Sequence, residues 1–260
     1  MNLLIYIQTL GRMFLSFMES VGQLTMFFCE ILANLFTPPI FVRRILQQLV
    51  AVGFYSLPVI GLTAIFTGAV LALQTYTGFS RMNAESSVAS VLVISITREL
   101  GPVLAGLMLA GRVAGSIAAE IGTMKITEQV DALYTLNTHP IKYLIIPKVI
   151  AGILVLPALV LVADIIGIFG GYLVAVYKIG FEYHSYLDAT FKALETQDVM
   201  SGLIKAAVFG FIVTLVGCFY GYNTSGGASG VGIAATQSVV TASILILLLN
   251  YVITGLLFTQ

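Results

Sequence analysis

The chain has 260 residues, 58% hydrophobic and only 9% charged. Its mean hydropathy is +1.01, far from a soluble domain in which about a quarter of residues carry charge. Twelve basic and twelve acidic residues cancel, so no nucleic-acid partner or acidic substrate gathered by bulk charge is expected. The composition is that of an all-α integral membrane protein, and the informative quantity is where its few charges sit.

Residues 13–36 are apolar but patterned. At 100° per residue, Arg12, Ser16, Glu19, Gln23, Glu30 and Asn34 fall on one narrow stripe. That periodicity predicts an amphipathic helix lying in the membrane interface; the alternative is a sixth span whose polar stripe is buried against neighbours. No basic segment precedes an apolar core at the extreme N-terminus, so no signal peptide is expected. Residues 1–49 read as this interfacial helix and an elbow. Residues 50–260 read as a transmembrane bundle, the whole 1–260 forming one domain.

A span needs about 20 apolar residues, and windows of that size predict five, at 50–74, 88–111, 149–177, 203–222 and 239–258. The third would be about 43 Å long at 1.5 Å per residue, so it must tilt or project. Arg12, Arg43, Arg44, Arg112, Lys125, Lys142 and Lys148 stand on one side and Arg81, Lys178 and Lys192 on the other. The positive-inside rule then places the N-terminus in the cytoplasm and, with five spans, the C-terminus outside. Cys29 and Cys218 lie in apolar runs and offer neither a disulfide framework nor metal-ligand spacing.

Arg98 and Glu99 fall near the middle of the second predicted span, where a lone charge is costly. Both should face protein or a wet cavity, either as an ion pair that fixes helix packing or as a polar element of a substrate site. Pro102 has no N–H and frees the carbonyl of Arg98, which predicts an opening of the helix beside the pair. Gly106, Gly111 and Gly115, interleaved with alanines, read as a close-packing face. Farther on, Ile126, Val130 and Leu133 recur at helical spacing opposite Lys125, Glu128, Gln129 and Asp131. This predicts a short amphipathic helix in the connection, either solvated or docked on another protein. Asp164 sits mid-span with no basic residue on its own helix, which suggests a hydrogen bond to a neighbouring helix or proton coupling.

No segment offers catalytic chemistry. The glycine-rich run NTSGGASGVG, 223–232, lacks the Gly-Lys-Ser/Thr ending that cradles a nucleotide phosphate and reads as a flexible turn. His139 and His184 are predicted on opposite sides of the membrane, which argues against a triad.

The succession RELGPV (98–103), AGR (110–112), AEIGTMKITEQVDAL (119–133), PKVIAG (147–152), GIFGGYLV (167–174) and GVGIAATQSVV (230–240) resembles the MlaE family. Members of that family are permease subunits of ABC transporters that work with MCE-domain proteins on phospholipids. One departure is His139 before Pro140, where the family more often carries an acidic residue. The resemblance implies a coupling helix at about 120–133 that enters a groove on a separate cytoplasmic ATPase, with Glu120, Lys125, Thr127, Glu128, Gln129 and Asp131 as contacts. It implies a homodimer around a lipid cavity near Arg98, Glu99, Leu71 and Gln74, and an MCE-domain partner on the periplasmic side of a bacterial inner membrane. The chain itself would hold no cofactor and no metal, ATP and Mg being bound by the ATPase. Two rival classes remain: an ion-gradient-driven secondary transporter using Arg98, Glu99 and Asp164, and a non-transporting membrane scaffold. The lack of an obvious inverted repeat weighs against the former.

Overall fold

The computed structural model describes residues 2–35, 37–38, 41–81 and 87–258. Those residues form an all-α membrane protein with five helices long and apolar enough to cross a bilayer: Val42–Ser80, Val88–Ile126, Ile141–Ile179, Thr196–Tyr222 and Gly227–Leu257. Helices are the natural solution here, because each satisfies its own backbone N–H and C=O groups where no water can. We call these spans 1 to 5.

In chain order, α1 is Asn2–Leu35. Span 1 comprises α2, Val42–Gly53, a tight turn at Phe54–Ser56, and α3, Leu57–Ser80. Span 2 comprises α4, Val88–Ser95, α5, Gly101–Leu109, and α6, Gly115–Ile126, joined by widened π turns at Ile96–Leu100 and Ala110–Ala114. A short helix α7, Gln129–Thr135, leads to span 3. There α8, Ile146–Val174, has π turns at both ends, Ile141–Ile145 and Ala175–Ile179. Helix α9, Tyr183–Ala193, precedes span 4, which is α10, Thr196–Tyr222; span 5 is α11, Gly227–Phe258.

The helices are longer than the hydropathy windows. Span 1 opens at Val42 and runs to Ser80, and spans 1 to 3 each cover 39 residues, about 58 Å against a hydrocarbon core of about 30 Å. A window detects only the greasy middle, whereas backbone hydrogen bonding continues past Arg43 and Arg44 at one end and Lys125 at the other. Span 5 departs most: it begins at Gly227 rather than at 239. The glycine-rich run is therefore a turn only over 223–226, closed by Gly226 at φ +85° and Gly227 at φ +69°. Both positions suit glycine, which pays no Cβ penalty there.

Proline places several of the breaks. Pro58 follows the turn at Phe54–Ser56, Pro102 follows the π turn at Ile96–Leu100, and Pro147 follows the one at Ile141–Ile145. In each case the missing N–H frees a carbonyl in the preceding turn. At the first break, Arg112 donates to the carbonyls of Ala51, at 3.2 Å, and Val52, at 3.5 Å, and to the Ser56 hydroxyl.

The core is a set of close helix crossings. Helix α8 packs against α3 on one side and α10 on the other, and α10 in turn packs on α6 and α11. Glycine makes these crossings possible. A Cβ on Gly68 would collide with the backbone of Gly167, and one on Gly210 with the backbone of Gly152. In lipid, such backbone approach supplies dispersion contact that the hydrophobic effect does not. The expected ladder behaves unevenly: side chains at Gly106 and Gly115 would press on Phe209 and Val239, at 3.3 and 3.2 Å, whereas Gly111 faces nothing within 4 Å. Helix α1 lies against this bundle through Phe27 and Ile31, both buried, while Phe14, Leu15, Met18 and Met26 are exposed. Of its polar stripe, Arg12, Glu19, Gln23 and Glu30 are exposed; the side chain of Ser16 lies outside the described residues.

Candidate functional site

The charges of spans 2 and 4 meet inside the bundle. The π turn Ile96–Leu100 carries Arg98 and Glu99, and α10 presents Asp198 and Lys205, seven residues apart and so on one helical face. Arg98 does not pair with its neighbour Glu99. Its Nε donates to Asp198, which is 1% exposed. Glu99 pairs instead with Lys205, at 2.6 Å.

Lys205 is wholly buried, and each of its three ammonium protons has an acceptor. They go to Glu99 Oε1, to Thr254 Oγ1 at 2.8 Å and to the backbone oxygen of Arg98 at 2.9 Å. That oxygen is the one Pro102 frees, so the helix opening expected from sequence is filled by a lysine from another span. From span 5, Thr254 donates to Glu99 Oε1 and Asn250 donates to Glu99 Oε2, both at 2.9 Å. Among the described residues, two cations and two carboxylates balance in this cluster. This is the condition under which buried charges persist, since each is paired and hydrogen-bonded.

Sequence reading missed Asp198, Lys205, Asn250 and Thr254. The signal was present: Asp198 and Lys205 repeat at i and i+7, and Asn250 and Thr254 at i and i+4 in a span without formal charge. Partner choice was not readable, because each of the four residues on spans 4 and 5 lies 100 or more positions in the chain from the residue it bonds.

Leu71 and Gln74 stand nearby. With Phe66, Thr67, Val70 and Leu100 they line a shallow recess on α3. It continues one way past Thr63 and Ile60 against Leu104 and Met108, and the other way past Thr77 and Gly78 to Arg81. The result is a mostly apolar groove along about 30 Å of helix, with a guanidinium at one end. Leu100 joins it to the polar cluster; Arg98 and Glu99 are not among the described lining residues. Asp164 stands apart. It is buried, its Oδ1 has no hydrogen-bond partner among the described residues, and it presses on Gly101, where any Cβ would strike the carboxyl.

At the other end of span 2, the expected helix over 120–133 is two helices. Helix α6 ends at Ile126, and Glu128, at φ 59°, turns the chain in the left-handed region before α7 begins at Gln129. The Thr127 hydroxyl donates back to the Thr123 carbonyl at 2.8 Å, the local competition with helix geometry typical of threonine. Glu120, still in α6, forms an ion pair with buried Lys148 at 2.7 Å. Lys125 reaches Asp131 at 3.1 Å across the turn. Val130 is the buried anchor of α7, with Glu128, Gln129 and Asp131 exposed around it. Beside α7, the Tyr134 and Tyr222 hydroxyls are hydrogen-bonded at 2.9 Å.

These features define a multi-pass helical membrane protein with an ion-paired polar cluster between its spans and an exposed amphipathic helix at one end. The chain belongs to the MlaE permease family: the family described as Permease MlaE matches residues 45–256. It is a permease subunit of the ABC-transporter class. A probable ABC transporter permease protein of Rickettsia bellii (strain RML369-C) is 57% identical over 96% of each chain. A probable ABC transporter permease protein of Synechocystis sp. is 40% identical over 83% of this chain and 82% of its own length. The chloroplastic protein TRIGALACTOSYLDIACYLGLYCEROL 1 of Arabidopsis thaliana is 38% identical over 83% of this chain and 62% of its own.

Proposed function

We propose that this permease moves phospholipid between a bacterial inner membrane and an MCE-domain protein on its periplasmic side, as a homodimer powered by ATP hydrolysis on a separate cytoplasmic subunit. The observation that carries the reading is the groove along α3. It is apolar for most of its length, ends at Arg81 and joins the polar cluster through Leu100, a chemistry matched to acyl chains with an anionic phosphate. The name of the Arabidopsis relative contains a diacylglycerol lipid, which accords with the acyl-chain part of such a substrate.

Span 5 supports pairing of two copies. Ile233, Val240, Ile244, Leu247 and Tyr251 form an exposed stripe at helical spacing along it, and a second copy of the same face would cover it. Helix α7 supports coupling, since Val130 seats it while Glu128, Gln129 and Asp131 remain outward; Lys125 and Thr127 flank the turn, and Glu120 contributes from the last turns of α6. In this orientation the α7 end and the N-terminus are cytoplasmic, and the C-terminus is periplasmic. The rival gradient-driven relay through Arg98, Glu99 and Asp164 lacks continuity among the described residues, where Asp164 Oδ1 meets no hydrogen-bond partner.

The test is mild extraction of the tagged permease from native membrane, followed by mass spectrometry and an ATPase assay. The wild type should bring down an ATPase and an MCE-domain protein, and a Glu128→Arg/Asp131→Arg variant should lose the ATPase. A wild type that comes down alone, without ATP hydrolysis, would overturn the proposal.

A further inference from the structure

Span 4 joins two regions at opposite ends of the bundle. Its first turns carry Asp198 and Lys205, and its last residue is Tyr222, about 36 Å along the helix from Asp198 and about 26 Å from Lys205. At that last residue the Tyr222 hydroxyl is bonded to Tyr134 of α7. Lys125, already tied to Asp131 of α7, lies over the Tyr222 ring, 6.0 Å from its centroid. Helix α7 is thus linked sideways to α10 as well as in sequence to α6.

The two routes from α7 to the polar cluster differ mechanically. The route along span 2 first crosses Glu128 in the left-handed region, then the π turn at Ala110–Ala114, and ends in the π turn at Ile96–Leu100. Each is a place where a helix yields. The route along α10 crosses no break: the helix is continuous and contains no proline. It is also seated backbone to backbone along its length. A Cβ would collide at Gly202 with the Thr97 carbonyl, at Gly210 with Gly152, at Gly217 with Ala114 and at Gly221 with Ala118 and Ile121. A helix held so closely shifts as a body rather than bending.

Building on the transport reading, we propose that the Tyr134–Tyr222 hydroxyl pair is the joint through which movement of α7 enters span 4 and reaches the Asp198 and Lys205 end. The two tyrosines are positioning residues that act on the cluster through α10. A displacement of α10 changes the reach of Lys205 to Glu99, Thr254 and the Arg98 carbonyl together, because all three bonds originate on one ammonium.

The experiment compares wild type, Tyr134→Phe, Tyr222→Phe and the double variant, each purified with its ATPase in nanodiscs containing fluorescent phosphatidylethanolamine. Three quantities are read: ATPase retained, lipid moved per ATP hydrolysed, and hydrogen exchange over 196–205 with and without vanadate-trapped nucleotide. Each single variant should keep the ATPase, and lipid moved per ATP should fall about three- to tenfold, the worth of one hydrogen bond. The double variant should fall no further, and the nucleotide-dependent change in exchange over 196–205 should vanish. Variants that match wild type, losses that multiply in the double variant, or loss of the ATPase from either single variant would overturn the joint. A wild type that moves no lipid on ATP defeats the transport reading, and the joint with it; a transporting wild type with indifferent variants defeats the joint alone.

Discussion

Replacing Lys205 with methionine tests the polar cluster most directly, because the change keeps an unbranched apolar stem out to Cε and removes the ammonium with its charge and donors. Breaking a buried ion pair by deleting one partner costs about 3–5 kcal/mol, while an exposed pair contributes about 0–1 kcal/mol. The Lys205 side chain is fully buried but that of Glu99 is 36% exposed, so the pair is only partly enclosed and the cost should fall between the two ranges, about 2–3 kcal/mol. Asn250 and Thr254 go on donating to Glu99, which limits the damage further. Glu99→Gln on top of Lys205→Met removes the stranded charge, and the double variant should regain about 1–2 kcal/mol relative to the sum of the singles. The assay is SDS-driven unfolding in mixed micelles followed by circular dichroism, run as a full double-mutant cycle. A coupling energy below about 0.5 kcal/mol, no larger than the scatter of additivity for independent sites, would refute the claim that Lys205 and Glu99 hold spans 2 and 4 together.

Glu128→Gly should raise stability by about 0.5–1 kcal/mol in the same unfolding assay, because residue 128 sits at φ 59°, where glycine carries no Cβ strain. Gly210→Leu should destabilise by more than about 3 kcal/mol or abolish folding, since its Cβ position overlaps the backbone of Gly152, while Gly111→Ala, facing open space within the chain, should stay within about 0.5 kcal/mol of wild type. The Tyr186 hydroxyl on α9 is buried without a hydrogen-bond partner among the described residues, so Tyr186→Phe should be neutral or stabilising by about 1 kcal/mol in thermal unfolding. Burial pushes the pKa of that phenol up from 10.0 to about 12. The folded state therefore keeps a proton that the unfolded state releases; the stabilisation is intact below pH 10 and is lost as pH rises toward 12. The thermal midpoint should fall more steeply across that window in wild type than in Tyr186→Phe.

Hydropathy by itself located all five spans, because the need for about 20 apolar residues is a property of the bilayer and is written in consecutive residues. Local chemistry was equally legible where one residue decides the outcome. Pro102 foretold a freed carbonyl at Arg98, and of the 126, 130, 133 spacing Val130 and Leu133 share one helix, seated by Val130, while Ile126 ends the helix before it. What failed were boundaries and partners. The helix over 120–133 breaks because Glu128 adopts a left-handed conformation that its side chain does not announce, and span 5 starts early because two glycines close the turn that precedes it. The Arg98–Glu99 dipeptide looked like a pair because the two are neighbours in sequence. Successive helical residues point about 100° apart, so Arg98 meets Asp198 while Glu99 meets Lys205, Asn250 and Thr254. Composition and periodicity dictate which segments enter the membrane; only the packing of spans 2, 4 and 5 decides which charges neutralise one another, because that depends on approach between residues 100 to 155 positions apart.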